Sequence, residues 1–206
     1  CIRRTRMILD QKLIDMFPVT VNRVVLDLDH KAIAEYTLQH EKEHNWSRYT
    51  TFHDMKLNAS WKQNLPQRKE LEENIFEAGR HLAKQTKRKF QHDWWIGYWV
   101  SIYRKGDDHG SHNHPRCMLS GTYWPQIGPK GSSITLEAPW KSHIMHDTIP
   151  PDHVHVNYRP NAGDCMIWPA WIDHRIHKQP DDDIERIAIS FNLDEKRYHQ
   201  EDFKYD

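Results

Sequence analysis

The second half of the chain alternates short β-prone runs with turn residues, and this pattern constrains the fold most strongly. From Trp94 onward, runs rich in aromatic and β-branched residues are separated by turn-forming stretches such as KGDD, GPKG and RPNAGD. The runs span residues 94–104, 117–127, 132–138, 153–159, 164–169 and 184–193. Several short strands with regularly spaced turns predict a sandwich or barrel. We therefore expect a β jelly roll in this half of the chain.

The first half of the chain predicts a supporting layer of helices with one strand. Residues 19–28 alternate and are rich in Val, which suits a strand, and Asp29 can cap a helix that runs to about Glu43. Residues 45–64 show no period and predict a loop-rich stretch. Pro66 suits the start of a second helix. Apolar residues recur along that helix at helical spacing: Leu71, Ile75, Ala78, Leu82 and Phe90.

The length allows one large domain or two small ones. Because there is no internal repeat and no low-complexity linker, we expect one domain over residues 1–206, with helical support in 1–93 and the β core in 94–206. Acidic and basic residues balance at 29 each, so nothing points to nucleic acid or to an anionic membrane. No apolar run approaches the ~18–20 residues of a membrane span. Three widely spaced cysteines without a CxxC motif indicate neither a disulfide framework nor a zinc ribbon. A reducing compartment fits this usage, so we expect a cytoplasmic protein, in the host cytoplasm if the source is viral.

Histidine is the compositional outlier, with 16 residues, and the motif HGSHNHP is its densest feature. On a strand, His112 and His114 would point to the same face, because side chains alternate with a period of two. Two imidazoles on one face begin a metal site, but a third ligand must come from elsewhere. The stretch PAWIDHRIH offers His174, with His177 as a substitute. Arg186 then opens the last predicted strand.

Other histidines carry weaker signals. His153 and His155 repeat the H-x-H spacing but lack a downstream partner, so we interpret them as structural or surface residues. His143 and His146 lie in a loop-like stretch that would extend over a pocket mouth, where contact with substrate is the minority interpretation. A histidine pair on an edge strand is more often solvated than bound to metal, and only its combination with the downstream motifs favours a metal site.

The region from Trp99 to Asn192 resembles the phage-type 2-oxoglutarate- and iron(II)-dependent oxygenases, which are relatives of the prolyl 4-hydroxylases. The resemblance rests on five motifs in the expected order: WVSIYRKGD, HNHP, LSGTYW, PNAGDCMIWPAWIDHRI and RIAISFN. Near the start of the chain, MFPVTV at residues 16–21 resembles the family's opening strand. The resemblance implies a mainly β fold with flanking helices, built on a double-stranded β-helix of the jelly-roll or cupin type behind an N-terminal α/β layer.

The resemblance also implies which residues form the site. His112 matches the first metal ligand and His174 the distal one, while His114 stands where the wider superfamily usually has Asp or Glu. Arg186 matches the residue that binds the distal carboxylate of 2-oxoglutarate. Further residues expected at the cosubstrate are Tyr103, Trp124 and Ser190, and the resemblance implies no catalytic residue beyond the metal ligands.

These assignments predict an enzyme that uses Fe(II), 2-oxoglutarate and dioxygen to hydroxylate an unidentified substrate, giving succinate and carbon dioxide. The substrate is a peptidyl residue such as proline, or a small molecule. Two alternatives remain open. One is a three-histidine cupin dioxygenase that does not use 2-oxoglutarate, in which Arg186 would make an ordinary ion pair. The other is a non-catalytic jelly-roll binding or virion protein.

Overall fold

A computed structural model describes residues 19–86, 93–139 and 155–196 of the chain. Within these ranges the protein has three helices and nine strands, which form two antiparallel sheets. None of the described helices combines the length and the apolarity that a membrane span requires. The predicted mainly β architecture with flanking helices is confirmed.

The first described segment supplies one strand and all three helices. These are β1 (Asn22–Val25), α1 (His30–His44), α2 (Met55–Gln63) and α3 (Arg68–Gln85). The predicted cap of α1 forms, because an Asp29 carboxylate oxygen accepts a hydrogen bond from the backbone N–H of Ala32 at 3.0 Å. Helix α3 begins two residues after Pro66 and buries Leu71, Ile75, Ala78 and Leu82 as predicted. Phe90 and residues 16–18 of the expected opening strand lie outside the described residues.

The prediction of a loop-rich stretch over residues 45–64 is wrong in its second half, where α2 forms. This helix buries only one side chain completely, that of Trp61, so no repeating apolar stripe marks it in the sequence. A capping signal was nevertheless present. The Asp54 carboxylate accepts a hydrogen bond from the backbone N–H of Leu57 at 2.9 Å, which is the usual arrangement at a helix start.

The remaining eight strands build the two sheets with β1. They are β2 (Trp94–Tyr103), β3 (His109–His112), β4 (Leu119–Gln126), β5 (Ile134–Glu137), β6 (His155–Tyr158), β7 (Asp164–Pro169), β8 (His174–Ile176) and β9 (Arg186–Glu195). The larger sheet has the order β1-β7-β4-β9-β2, and the smaller sheet has the order β3-β8-β5-β6. Strands far apart in sequence are therefore neighbours in space.

The two faces of the larger sheet serve two apolar cores. One face packs against the helices and includes Val100, Ile167 and Phe191. The other face lies in a second core that includes Tyr103 and Trp168 from this sheet and side chains of the smaller sheet. Strand alternation explains the division, since successive side chains point to opposite faces. The candidate site is built in this second core, between the sheets.

Candidate metal centre

Three histidine side chains lie close together at the end of β3 and the start of β8. His112 ends β3 and His174 begins β8, and the two residues lie directly opposite each other in the antiparallel register. His114 follows two residues after β3. One possible ligand atom from each of the three side chains lies within 4.8 Å of the others, so the group could hold a metal ion. The predicted ligand residues are thus brought together.

The backbone brings His112 and His114 together in a different way from the one that the sequence predicted. We expected His112 and His114 on one strand, but β3 ends at His112 and its pairing is irregular between His109 and His112. The backbone beyond the strand is held instead by a hydrogen bond from the His114 N–H to the carbonyl of Ala170, at 2.9 Å. The His114 ring then stacks on the ring of His174, with centroids 5.1 Å apart.

Backbone carbonyls orient two of the imidazoles. Nδ1 of His112 lies 2.8 Å from the carbonyl oxygen of Gly110, and Nδ1 of His174 lies 3.0 Å from that of Ile172. Because a carbonyl oxygen can only accept, each Nδ1 carries the proton and Nε2 keeps its lone pair. Metal-binding histidines typically donate their other ring N–H in this way. The arrangement therefore fits a metal held by Nε2 atoms.

The surroundings keep His114 and His174 in the neutral form that binds metal. Burial lowers the pKa of His174 to about 3, and the neighbouring imidazoles act in the same direction. Burial also lowers the pKa of His114 to about 4. The group contains no carboxylate, so a divalent ion there would keep one more positive charge than at a site of two histidines and one carboxylate.

A hydrogen bond joins the two loops that carry the ligands. The amide nitrogen of Asn113 donates to a carboxylate oxygen of Asp173 at 2.7 Å. Asn113 lies between His112 and His114, and Asp173 precedes His174. The bond therefore links the two halves of the histidine group without contacting the metal position itself.

Arg186 is the most unusual residue of the second core. It opens β9, is completely buried, and none of its three side-chain nitrogens has a hydrogen-bond partner among the described residues. Its guanidinium lies over the ring of Tyr103 at 4.9 Å and 5.8 Å from that of Trp124. Burial lowers its pKa to about 10. An unpaired charge is costly to bury, so this residue indicates a position for an anionic ligand.

The other predicted cosubstrate residues surround the same interior. Tyr103 is paired with Arg186 across β2 and β9, and the Ser190 hydroxyl lies 3.4 Å from that of Thr122. Tyr103 and Ser190 line a narrow cavity together with the three histidines. Its volume is about 30 Å³, much smaller than that of the wider cavity described below.

Trp168 was missed as a site residue by the sequence reasoning. It lines the narrow cavity, is 1% exposed, and its ring lies edge-on to that of His174 with centroids 4.9 Å apart. Within the part of the chain that the structure describes, its indole N–H has no hydrogen-bond partner, and neither has that of Trp124. The available signal was strand alternation in β7, which places Met166 and Trp168 on the inner face together.

A wider cavity of about 430 Å³ lies on the outer side of the histidines. Its lining includes Tyr49, Phe52, Trp99, His109 and Asn192 as well as His112 and His114. The sequence reasoning did not assign these first five residues to a site. Tyr49 and Phe52 come from the segment that we expected to be a loop over the core, and nothing local in the sequence shows where that segment lies.

The remaining histidines lie elsewhere or are not described. His177 does not join the group, because its Nε2 lies 2.5 Å from the Thr135 hydroxyl oxygen. His155 begins β6, two strands away from β8 in the smaller sheet. His143, His146 and His153 fall outside the described residues, so their predicted roles stay predictions.

Comparison with solved structures gives relatives of the same fold. A prolyl-4-hydroxylase from Pseudomonas putida is 10% identical, with a TM-score of 0.54 over 86% of this chain and 88% of its own. AviO1 from Streptomyces viridochromogenes Tue57 is 14% identical, with a TM-score of 0.58 over 85% and 90%. The non-heme alpha ketoglutarate dependent carbocyclase SnoK from nogalamycin biosynthesis is 10% identical, with a TM-score of 0.60 over 85% and 80%. At such identities the likeness shows the fold.

The sequence itself matches one family model and no curated protein. The model is described as "Putative 2OG-Fe(II) oxygenase" and matches residues 97–192, just under half of the chain. The match contains the three histidines, Arg186 and every strand from β3 to β8. Members of this family use Fe(II), 2-oxoglutarate and dioxygen. Residues 97–192 are therefore similar to the 2-oxoglutarate- and iron(II)-dependent oxygenases.

Proposed function

We propose that the protein is an oxygenase that hydroxylates a substrate C–H bond at an iron held by His112, His114 and His174. The observation that carries the proposal is Arg186, a fully buried cation that has no hydrogen-bond partner among the described residues. The carboxylate of 2-oxoglutarate farther from the metal would pair with it. Arginine suits this position because its planar fork binds a carboxylate through two hydrogen bonds.

The other inner residues would hold the rest of the cosubstrate. Tyr103 and Trp124 flank the guanidinium, and the unpaired indole N–H of Trp124 can donate to the same carboxylate. Ser190 lies farther along β9 on the same face as Arg186 and offers a hydroxyl group. Trp168 lies beside His174, which supports a role for its indole N–H as a donor to the metal-proximal end of the cosubstrate.

The bound iron and cosubstrate would supply the oxidising chemistry, and the chain supplies binding, orientation and a dry interior. Arg186 and the indole N–H groups fix the diacid, while the apolar walls of the second core exclude water. Deprotonated Nε2 atoms on His112 and His174 face the metal position because their Nδ1 protons are engaged by carbonyls. No protein acid or base is required.

A three-histidine dioxygenase without 2-oxoglutarate is the second candidate. It is favoured by one observation, the absence of a carboxylate from the ligand group. That activity gives no role to a buried, unpaired Arg186, which is why the 2-oxoglutarate-dependent reaction is preferred. A measurement of 2-oxoglutarate binding to the metal-loaded protein distinguishes the two candidate functions, because only the first one requires 2-oxoglutarate.

Substrate and location are proposed more broadly. A peptidyl residue is one substrate class, in keeping with the prolyl-4-hydroxylase of the same fold, and a small molecule is the other, in keeping with SnoK.

The free thiols of Cys117 and Cys165 support a cytoplasmic, reducing location. Residues 1–206 are proposed to form one domain, because β1 of the N-terminal part pairs with β7 of the β core.

The metal assignment is tested by comparing the metal content of His174→Ala with that of His155→Ala after equal loading with Fe(II) without oxygen. We expect His174→Ala to lose stoichiometric iron, because one of three ligands is removed. His155→Ala should retain it, since His155 lies two strands away. Normal iron content in His174→Ala would show that the proposed ligand set is wrong.

A further inference from the structure

The wider cavity beside the histidines adjoins the narrow cavity that Tyr103, Trp168 and Ser190 line. It has a volume of about 430 Å³, within the range of sites for small ligands. Trp99, His109, His112 and His114 line both cavities, whereas Phe52 and Asn192 line only the wider one. A group bound in the wider cavity would therefore lie next to the metal position.

An aromatic wall forms one side of this cavity. The ring of Phe52 lies 4.8 Å from that of Trp99, and the Trp99 ring lies 5.8 Å from that of His114. Phe52 is 53% exposed although it is a large apolar residue. Aromatic side chains left open in a concave site provide apolar contact area for a ligand. This wall suits a ring or another flat apolar group.

One polar group with a fixed orientation faces the same cavity. The Ser120 hydroxyl donates to the side-chain carbonyl oxygen of Asn192. Because this contact occupies the oxygen, the amide N–H₂ of Asn192 is left to donate toward the cavity that the residue lines. A ligand that meets Asn192 must therefore present a hydrogen-bond acceptor.

Charge is the third property of the lining. Among the residues that the structure describes around this cavity, none carries a carboxylate, an ammonium or a guanidinium group. Its titratable side chains are one tyrosine, one cysteine and four histidines. Such a lining offers no ion-pair partner for the amino or carboxylate group of a free amino acid.

We propose that the wider cavity is the prime-substrate site and that it takes an uncharged group. The group stacks a ring or flat apolar face on Phe52 and Trp99 and directs a carbonyl or ether oxygen to the Asn192 amide. This proposal rests on the proposed oxygenase function and narrows its substrate class. Both a neutral peptidyl residue and a neutral small molecule present this chemistry, while a free zwitterionic amino acid does not.

The test uses protein loaded with Zn(II) and 2-oxoglutarate, since zinc has no redox chemistry and prevents turnover. Binding is measured by ligand-observed NMR titration with benzamide, benzoate and benzylammonium, which share a ring and differ in charge. N-acetyl-L-prolinamide and L-proline form a second pair that represents peptidyl and free sources. We expect benzamide or N-acetyl-L-prolinamide to bind and the charged probes to bind at least about tenfold more weakly. The preferred neutral probe then identifies the source.

Two variants and one control locate the binding. Phe52→Ala removes part of the aromatic wall, and Asn192→Asp keeps the acceptor for Ser120 but replaces the donor with a negative charge. Each should weaken binding of the neutral probe about tenfold, and Asn192→Asp should improve binding of benzylammonium. Met55→Ala is the control, because Met55 is 86% exposed and does not line the cavity.

The outcomes separate this proposal from the function on which it rests. Failure of 2-oxoglutarate to stabilise the zinc-loaded protein would overturn the proposed function. If 2-oxoglutarate binds but the charged probes bind as well as the neutral ones, the substrate class is wrong. Unchanged binding of the neutral probe in both Phe52→Ala and Asn192→Asp would likewise overturn the site.

Discussion

At the scale of single residues, the buried guanidinium of Arg186 is the feature that stability alone does not explain. A charge without a partner in an apolar core destabilises the folded chain, and the pKa of Arg186 is lowered for the same reason. Binding sites often retain such groups, because the ligand supplies the missing counter-charge. Arg186 should therefore lower the free energy of unfolding of the ligand-free protein and stabilise the complex with 2-oxoglutarate.

Replacing Arg186 with Met should separate these two effects. We expect Arg186→Met to raise the free energy of unfolding of the ligand-free protein by about 1 kcal/mol or more, since an unpaired buried charge is removed. It should also abolish the rise in melting temperature that 2-oxoglutarate gives to the metal-loaded wild type. Chemical denaturation and thermal melts measure the two quantities.

Arg104→Met is the matched control for that experiment. Arg104 already has a carboxylate partner, Glu41, at 2.7 Å on the surface, so its loss should leave the response to 2-oxoglutarate intact. A full thermal response of Arg186→Met to 2-oxoglutarate would contradict the role of Arg186.

Trp168 gives a second prediction at this scale. Trp168→Phe removes an unpaired buried N–H while keeping most of the apolar ring, so we expect metal binding to persist and 2-oxoglutarate affinity to fall about fivefold. Calorimetric titration of the zinc-loaded protein measures the change. Trp61→Phe is the control, because the Trp61 N–H donates to Thr37 within the helical layer. Equal affinities in wild type and Trp168→Phe would show that this N–H does not contact the cosubstrate.

At the scale of secondary-structure elements, the site depends on how β3 and β8 are joined. His112 and His174 face each other in the register, but His114 lies beyond β3 and depends on loop contacts. The hydrogen bond between Asn113 and Asp173 is a side-chain contact between the residue that follows His112 and the residue that precedes His174. Contacts of this kind orient metal ligands without touching the ion.

Removing the hydrogen bond between Asn113 and Asp173 should lower the metal affinity of the site while all three histidine ligands remain. We expect Asn113→Ala to lower Zn(II) affinity about tenfold, with little change in secondary structure. Competition with a chromogenic chelator measures the affinity. Asn74→Ala serves for comparison, because the Asn74 amide only donates to a backbone carbonyl on the exposed face of α3. If both variants bind zinc like the wild type, the Asn113 contact does not support the metal site.

The elements that the sequence predicted are those with strong local patterns. The α3 stripe follows from helical periodicity, the start of α1 from the capping residue Asp29, and strands β2, β4, β7 and β9 from β-prone runs between turn residues. Helix α2 was missed because its single buried residue, Trp61, produces no repeat. The placement of His114 was predicted from a strand rule, although a loop after a shortened strand is what places it. Local patterns do not reveal where a strand ends irregularly.

At the scale of the whole molecule, the site joins distant parts of the chain. The histidines and Arg186 could be predicted because their order matches family motifs within residues 97–192. The wall of the wider cavity could not, because Phe52 comes from the helical layer and meets Trp99 only after folding. The pairing of β1 with β7 likewise joins segments about 140 residues apart. Such long-range contacts have no local sequence signature.

Buried neutral histidines make the stability of the metal-free molecule depend on pH. Burial lowers the pKa of His40, His114 and His174 below the ordinary 6.5, to about 4 and about 3 for the last two. The unfolded chain then binds more protons than the folded chain below pH ~6.5, so the free energy of unfolding should fall as the pH drops toward 4. Urea denaturation at pH 7, 6, 5 and 4 measures the trend. A flat profile would show that these imidazoles are not held neutral.

The central claim is that three histidines and one buried arginine together bind iron and 2-oxoglutarate. It is tested most directly by adding 2-oxoglutarate to the Fe(II)-loaded protein without oxygen and recording the visible absorption spectrum. We predict a weak charge-transfer band that saturates with 2-oxoglutarate, because the diacid chelates the metal while Arg186 binds its far end. A protein that holds stoichiometric Fe(II) but shows neither this band nor thermal stabilisation by 2-oxoglutarate would contradict the account.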